Sequence, residues 1–332
     1  MKAYDAQLVQ ADAVSRYILD GFASGSIGRY VDPFQKVFPS LGGQYNPTTG
    51  KYYQAGNQMF LSAVAFKRGV ADNRWMTFHQ TQEAGFKVRK GAKSVPIVFY
   101  QKITTDELDA KGNPIEKRTL RYYNVFNGSD IEGLPPEARR QIRPQHQLHD
   151  ECERIIKESG VAIRHVEGSS AYYHPIDDEV VLPLVSQFHS MEQYYAVAMH
   201  ELGHATGHAS RLNRDMTGQF GTESYAKEEL RAEIASLMGC QRLGIAYDLG
   251  NHMSYLKSWA TILTEKPTEI LKACSDAERI CDHLGIHAQE LVPLPKKEQS
   301  LEDKERIEQA KQTMTVMLEQ SYSQKRKLEQ GY

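Results

Sequence analysis

The chain has 332 residues, of which 40% are hydrophobic and 25% charged, and its net charge is −2 at pH 7. This length predicts about two domains, and the composition excludes collagen-like, low-complexity and wholly disordered chains. Because no apolar run reaches the roughly 18 residues that span a bilayer and the first residues lack the apolar core of a signal peptide, we expect a cytoplasmic protein without a membrane partner.

The charge is divided unevenly along the chain. Residues 1–140 carry 19 Lys and Arg against 13 Asp and Glu, a net charge of +6, whereas residues 141–332 have a net charge of −8. The segment 51–102 alone has a net charge of +7. A basic module of this kind can bind nucleic acid, since Lys and Arg that neutralise phosphates release counterions. A solvated basic surface is the alternative.

Residues 1–140 predict a module with both helices and strands. Apolar pairs at helical spacing and stop signals such as Gly69 predict the helices, and Thr77 is a candidate N-cap. Runs of β-branched and aromatic residues predict the two strands of a hairpin. The predicted helices lie at 8–18, 57–67 and 77–85, and the predicted strands at 95–100 and 120–126. A proline-rich linker from Leu134 ends this module.

The rest of the chain predicts a mainly helical region with a small antiparallel sheet. A helix at 150–158, three short strands at 161–166, 171–174 and 179–182, and mostly helix after Ser190 are predicted. The overall fold class is therefore α+β. The predicted domains are a nucleic-acid-binding domain over 1–140, a mainly helical domain over 141–295 and a charged C-terminal helix over 296–332.

The sequence HELGH at residues 200–204 is the motif with the clearest chemistry. It lies in a run without helix breakers, and histidines four residues apart share one face of a helix. His200 and His204 can then bind one Zn²⁺, with Mn²⁺ or Co²⁺ as alternatives. Glu201 projects beside the pair, where it can take a proton from a water molecule. Two surface histidines are the alternative interpretation.

A catalytic zinc site needs a third protein ligand, and a later helix offers one. Glu229 and Glu233 are four residues apart, so they share a face of that helix. We predict Glu229 as the ligand and Glu233 as the carboxylate that holds a ligating histidine, although the two roles could be exchanged. Glu228 falls about 100° round the helix and is predicted to be solvated. His208 is predicted to support the ligands or to be structural.

The strand over 177–183 comes shortly before the HELGH helix. We expect it at the edge of its sheet, where it could pair with an extended peptide substrate. An ordinary sheet edge closed off by Pro183 is the alternative.

The basic module interleaves aromatic and basic side chains. Proteins that bind single-stranded nucleic acid use both, since bases stack on aromatic rings for about 1–3 kcal/mol each and cations follow the phosphates. The predicted DNA contacts are Lys51, Tyr53, Arg74, Trp75, Lys87, Arg89, Lys90 and Lys93. A place in the hydrophobic core is the alternative for Trp75, as for Phe60 and Phe78.

Residues 40–245 resemble the ArdC-type antirestriction proteins in both modules. The matching segments are NPTTGKYYQAGN at 46–57, RWMTFHQ at 74–80, HELGHATGH at 200–208 and YAKEELRAE at 225–233. The resemblance implies a single-stranded-DNA-binding domain followed by a zincin-like metallopeptidase domain of the gluzincin type. It also implies a protein of plasmids and other mobile elements that shields incoming DNA from restriction. Ala205 stands where we expect tryptophan in the family.

Three functions fit these residues. The first is a single-stranded-DNA-binding antirestriction protein whose metal site is competent for peptide hydrolysis, with Glu201 as general base. In the second, the metal only braces the fold of a DNA-protecting protein. The third is an intracellular zinc peptidase whose first module binds a protein partner. The peptide substrate and the oligomeric state stay open.

Overall fold

The computed structural model describes residues 2–23, 43–108, 112, 114–137, 144–219, 221–245, 256–288 and 291–294. The predicted domain boundary at 140/141 and the predicted helix over 296–332 lie outside these residues, so both stay predictions.

The N-terminal region contains both helices and strands, as predicted. Its helices are α1 (Ala3–Ala23), α2 (Ala55–Arg68) and α3 (Phe78–Glu83), and its strands are β1 (Tyr45–Asn46), β2 (Lys51–Tyr52), β3 (Trp75–Thr77), β4 (Lys87–Val88), β5 (Val95–Leu108), β6 (Pro114–Asn127) and β7 (Ile131–Glu132). Two of the local signals act as expected. Gly69 ends α2 in the left-handed conformation, at φ 65°. The Thr77 hydroxyl accepts a hydrogen bond from the Gln80 N–H, while the Gln80 side chain accepts one from the Thr77 N–H.

The predicted hairpin is longer than its sequence pattern indicated. Strands β5 and β6 pair antiparallel, and β3 adds a third strand to the outer side of β6 through residues 125–127. Helix α1 packs against the base of this sheet, where the Gln10 side chain donates a hydrogen bond to the Pro96 carbonyl at 3.0 Å. The base of the hairpin is therefore part of the core, and its outer part extends as two strands alone.

The C-terminal region is mainly helical, as predicted. Its helices are α4 (Gln145–Glu158), α5 (Met191–Ala205), α6 (Glu223–Leu243), α7 (Leu256–Glu265) and α8 (Glu269–His283), and its strands are β8 (Ala162–Val166), β9 (Tyr172–His174) and β10 (Glu179–Pro183). Cys152, Cys240, Cys274 and Cys281 are buried free thiols, which agrees with a structural role. Among the described helices, none combines the length and the apolar composition needed to cross a membrane.

The small sheet differs from the prediction in two respects. Its strand order is β8-β10-β9, and β10 runs parallel to β8 but antiparallel to β9. The sheet is therefore mixed rather than antiparallel, and β10 is its central strand, so the predicted edge position of residues 177–183 is wrong. The continuous apolar run 180–182 is fully buried, which is typical of a central strand. Strand β9 is the edge that is antiparallel to the rest of the sheet.

The N-terminal and C-terminal regions contact each other at two places. The Ser15 hydroxyl of α1 donates a hydrogen bond to the Pro267 carbonyl at 3.2 Å. Residues 291–294 return to the turn between β1 and β2, where the Leu291 N–H donates to the Gly50 carbonyl at 2.9 Å. A Cβ atom on Gly50 would lie 2.0 Å from the Leu291 carbonyl oxygen, so this approach requires glycine.

Candidate metal centre

Two packed helices carry the residues of the centre. Helix α5 begins at the N-cap Ser190, whose hydroxyl accepts a hydrogen bond from the Gln193 N–H at 3.2 Å. The C-terminal half of α5 is buried and carries His200 and His204 one turn apart. Helix α6 begins at the N-cap Thr222 and packs against α5. The packing brings the first turns of α6 against the two histidines.

The three side chains predicted as metal ligands converge. The Nε2 atoms of His200 and His204 lie 3.2 Å apart. One oxygen of Glu229 lies 3.7 Å from Nε2 of His200, and the other lies 3.4 Å from Nε2 of His204. All three residues are buried, and one donor atom from each lies within 4.8 Å of the others. This set of two imidazoles and one carboxylate fits a tetrahedral divalent ion with one open position.

Glu233, predicted as the carboxylate that holds a ligating histidine, contacts His200. One of its carboxylate oxygens is 3.1 Å from Nδ1 of His200, so it contacts the ring nitrogen that does not point at the cluster. Such a contact fixes the orientation of an imidazole ligand and raises its basicity. The arrangement places Glu229 at the ligands and Glu233 behind them, rather than the reverse.

Glu228 is buried, with 4% of its surface exposed, so the prediction that it is solvated is wrong. Its carboxylate lies 3.5 Å from Nδ1 of His204. It also accepts hydrogen bonds from Arg214, at 3.1 Å from Nε and 2.6 Å from Nη2. Helix α6 packs against α5 over a wide face. This face also buries Glu228, although Glu228 lies beside the line of residues formed by Glu229 and Glu233. Each histidine therefore has its own outer carboxylate.

Arg214 is a residue of the centre that sequence reasoning missed. Its Nη2 donates to the Gly203 carbonyl at 2.8 Å, and its Nη1 donates to the Thr206 hydroxyl at 2.7 Å. It therefore ties the loop after α5 both to Glu228 and to the end of the helix that carries the histidines. The sequence spacing does not predict that Arg214 belongs to the centre, because its loop has no periodicity and its partners lie on two helices.

Glu201 is buried beside the histidines and lines a cleft of about 970 Å³. Burial raises the pKa of its carboxyl, while the neighbouring histidines lower it; the net change is upward. The Tyr173 backbone amide also acts to lower the pKa of this carboxyl. A raised pKa makes an ionised carboxylate a stronger base. The cleft opens beside this carboxyl.

The pKa of the Glu229 carboxyl is lowered, in contrast to that of Glu201. Burial alone would raise the pKa of the Glu229 carboxyl, but the close contact with His200 and the charges of both histidines lower it to about 2. The Tyr225 hydroxyl, which also lines the cleft, donates a hydrogen bond to it. An ionised carboxylate is the form that binds a metal ion.

Asp178 connects the edge strand β9 to the end of α5. It accepts a hydrogen bond from the Tyr173 hydroxyl at 2.7 Å and forms an ion pair with Arg211. The Nε atom of Arg211 donates to the Ala205 carbonyl at 2.6 Å. Tyr173 thus has a fixed side chain, and this cluster links the edge strand to the helix that carries His200 and His204.

His208 lies apart from the candidate ligands. Its Nδ1 is 2.8 Å from the Ser210 hydroxyl and 4.0 Å from an oxygen of Asp178. Among the described residues it has no recorded contact with His200, His204 or Glu229. Of its two predicted roles, the structure therefore favours a structural one over support of the ligands.

Two of the predicted DNA contacts are buried, and a third is partly buried. Trp75 is fully buried, and its Nε1 donates to the Gln44 side chain at 2.5 Å. Arg74 is buried and pairs with both oxygens of Asp72. Tyr53 is partly buried and directs its hydroxyl to the Trp75 carbonyl at 2.9 Å. The alternative interpretation, a place in the core, is correct for Trp75, because the segment that carries it forms β3, which pairs with β6 and directs Trp75 into the core.

The remaining predicted DNA contacts are exposed. They are Lys51, Lys87, Arg89, Lys90 and Lys93. Of the other aromatic residues considered, Phe60 is buried, as its alternative interpretation held, whereas Phe78 is largely exposed. The surface location of the five cations leaves them as candidate phosphate contacts.

Both halves of the chain match known families. Residues 10–126 match the N-terminal domain of anti-restriction factor ArdC, and residues 150–276 match the zincin-like metallopeptidases. The metal-free crystal structure of antirestriction ArdC protein from plasmid R388 is similar, with a TM-score of 0.65 and 30% identity over 83% of this chain and 96% of that chain. Its Mn(II)-bound structure gives a TM-score of 0.64 and 31% identity, over 82% and 95% of the two chains.

Related proteins found by sequence also match most of this chain. Two DNA primase TraC sequences of Escherichia coli are 38% and 42% identical over 85% and 81% of this chain, which spans only 20% and 27% of their lengths. The uncharacterized protein y4eC of Sinorhizobium fredii is 35% identical over 74% of this chain and 81% of its own length. The chain therefore belongs to the ArdC-type antirestriction proteins, with an ArdC N-terminal domain followed by a zincin-like metallopeptidase domain.

Proposed function

We propose that this protein binds single-stranded DNA through its N-terminal region and protects DNA of a mobile element during conjugation, and that its metal centre hydrolyses peptide bonds. The observation that carries the catalytic part is Glu201, which lies buried beside the cluster of His200, His204 and Glu229 and faces an open cleft. A metal that only braced the fold would need neither a general base nor a cleft.

The metal is proposed to be Zn²⁺, with Mn²⁺ or Co²⁺ as alternatives. His200, His204 and Glu229 would hold it, and the Mn(II)-bound structure of the R388 protein supports a divalent ion in this family. When bound, the ion would act as a Lewis acid towards a peptide carbonyl. Glu201 would accept a proton from the attacking water and pass it to the leaving amine.

The edge strand β9 supports a peptide substrate. Tyr172 and Tyr173 of this strand line the cleft that contains Glu201. An extended peptide can add to an exposed strand edge through main-chain hydrogen bonds. The edge role expected for residues 177–183 thus passes to β9, which borders the same cleft.

The DNA-binding part rests on charge and on family. The exposed cations Lys87, Arg89 and Lys90 lie in the segment with the highest positive charge. Two relatives named DNA primase contain the same region, which supports a role in the handling of DNA. We place this function in a domain over 1–140, followed by the metallopeptidase domain over 141–295 and the helix over 296–332, in a cytoplasmic protein.

Fluorescence anisotropy with the full chain tests DNA binding. A labelled single-stranded oligonucleotide should bind tightly at low salt and more weakly at high salt, and duplex DNA should not displace it. Absence of binding at low salt would refute this part of the proposal and favour a protein partner for the N-terminal region.

The Glu201→Gln variant separates the catalytic function from the alternative of a structural metal. We expect cleavage of labelled casein by the Zn²⁺-loaded protein to be lost in this variant, with metal binding retained. The same variant should then be tested for protection of unmodified DNA in a restricting host. Protection that survives would favour the structural metal for antirestriction.

A further inference from the structure

Trp75 is buried and Tyr53 is partly buried with its hydroxyl bonded to the Trp75 carbonyl, so neither ring that the sequence predicted is freely exposed for base stacking. Stacking needs aromatic rings with an open face. The β5–β6 hairpin supplies them. Since β3 pairs only with residues 125–127, the hairpin beyond that point is a two-stranded ribbon. Helices α1 and α2 still contact its base, where Ile97 is buried and the Asn57 side chain bonds to the Val98 backbone.

Two tyrosines are exposed on this ribbon. Tyr100 is 61% exposed and Tyr123 is 53% exposed. The Tyr123 ring stacks on Phe99, with 4.7 Å between the ring centres and 5° between the planes. Phe99 is opposite Arg121 in the strand register, so this stack and Arg121 share one face. Tyr100 belongs to the other face, because neighbouring residues of a strand alternate.

Positive charge accompanies these rings. Residues 95–104 and 118–127 contain Lys102, Arg118 and Arg121 but no Asp or Glu. Lys102 and Arg118 are directly opposite each other in the register, an arrangement of like charges that a bound phosphate would stabilise. Glu116 lies 3.2 Å from Lys102 at the outer limit of this segment. The acidic residues of the ribbon thus lie towards its tip.

The exposed basic segment 87–93 directly precedes the ribbon in the chain. Lys93 stands two residues before β5 begins. The Arg89 N–H donates a hydrogen bond to the Asp130 carbonyl at 2.9 Å, which anchors this segment next to the end of β6. The cations at 87–93 and the aromatic ribbon are therefore adjacent along the chain.

We propose that the base-proximal half of this ribbon is the stacking surface for single-stranded DNA, formed by Phe99, Tyr100, Lys102, Arg118, Arg121 and Tyr123. This inference rests on the proposed DNA-binding function. Unpaired bases stack on the tyrosine ring of either face. Arg121 contacts phosphates on the face of Tyr123, and Lys102 and Arg118 contact them on the face of Tyr100. Duplex DNA is a poor ligand for such a surface, because its bases are already stacked on one another.

The experiment is anisotropy of labelled oligo-dT with the full chain at two salt concentrations. The double variant Tyr100→Ala/Tyr123→Ala should raise Kd by about tenfold to a hundredfold, and Tyr100→Phe/Tyr123→Phe should restore binding because the rings remain. Arg121→Gln should weaken binding and lower the salt slope by about 0.7.

Lys117→Gln is the matched control. This residue is a cation of the same ribbon, but it pairs with Glu107 at 2.7 Å and lies towards the tip. It should leave Kd within about twofold of the wild type. Unchanged Kd in the double alanine variant and in Arg121→Gln, with a wild type that binds, would overturn the inference.

If loss of both tyrosines impairs folding, the Arg121→Gln variant still tests the inference. The Arg121 side chain is exposed, so we expect this variant to fold. A wild type that fails to bind at low salt would instead refute the proposed function. The two failures are therefore distinguishable.

Discussion

The Glu228 carboxylate lies 3.5 Å from Nδ1 of His204, the ring nitrogen that does not face the ligand cluster. Glu233 has the same relation to His200, at 3.1 Å. The two outer carboxylates come from successive turns of α6, and the ligand Glu229 lies between them in the sequence. One helix thus provides a metal ligand and orients both histidines of the other.

Loss of Glu228 should therefore weaken metal binding. In Glu228→Gln the charged partner of His204 is removed and the Arg214 pair is broken, so we expect metal affinity to fall by about tenfold to a hundredfold. Isothermal titration with Zn²⁺ measures it. Glu223→Gln is the control, since this exposed glutamate of the same helix contacts Lys227 and not the cluster. Equal affinity in Glu228→Gln and the control would contradict the role.

Metal removal should lower the stability of the fold. A ligand that binds only the native state stabilises it by about 2.7 kcal/mol at a free concentration of 100 times Kd. We expect EDTA to lower the Tm of the metal-loaded wild type by several degrees. His200→Ala should show a Tm that does not respond to either Zn²⁺ or EDTA. A metal-dependent Tm in that variant would place the ion elsewhere.

Trp75 should matter for stability rather than for DNA contact. Its side chain is buried in the N-terminal core, so Trp75→Ala should destabilise the protein by about 3–5 kcal/mol. Urea denaturation measures this loss. Trp75→Phe keeps most of the packing, and we expect its Kd for single-stranded DNA to equal that of the wild type under conditions where it is folded. A specific loss of DNA affinity in Trp75→Phe would show that the indole contacts DNA.

Asp178 should contribute stability that disappears in acid. The hydrogen bond from Arg211 holds the pKa of this carboxyl below its usual 3.8. Because the native state prefers the ionised form, the contribution is complete above 3.8 and is lost as the pH falls through the lower native pKa.

The Asp178→Asn variant isolates this contribution. Residue 178 has a φ of 52°, and asparagine tolerates that conformation as well as aspartate does. The variant should be less stable than the wild type in urea at pH 7, and the difference should narrow below pH 3.8. A difference that is constant at all pH values would contradict the ion pair.

The parts of the centre that sequence predicted are those set by local periodicity. His200 and His204 are one helical turn apart, and Glu229 and Glu233 share a face of the next helix, so their relations follow from helix geometry alone. Arg214 and the buried position of Glu228 depend on how a loop packs across two helices, which no periodicity records.

In the N-terminal region the sequence could not separate exposed from buried rings. The segment around Trp75 interleaves basic and aromatic side chains, but it forms a strand that pairs with β6, and Asp72 neutralises Arg74 from two residues away. The central position of β10 could have been predicted from the sequence, because its continuous apolar run 180–182 is the pattern of a strand buried on both faces.

The most direct test of the account is a crystal structure of the full chain soaked in Mn²⁺, with anomalous difference density to locate the ion. We expect one strong peak within coordination distance of Nε2 of His200, Nε2 of His204 and the Glu229 carboxylate, and no such peak in crystals of His204→Ala. Absence of a peak at this cluster in the wild type, or a peak held by other residues, would contradict the metal centre.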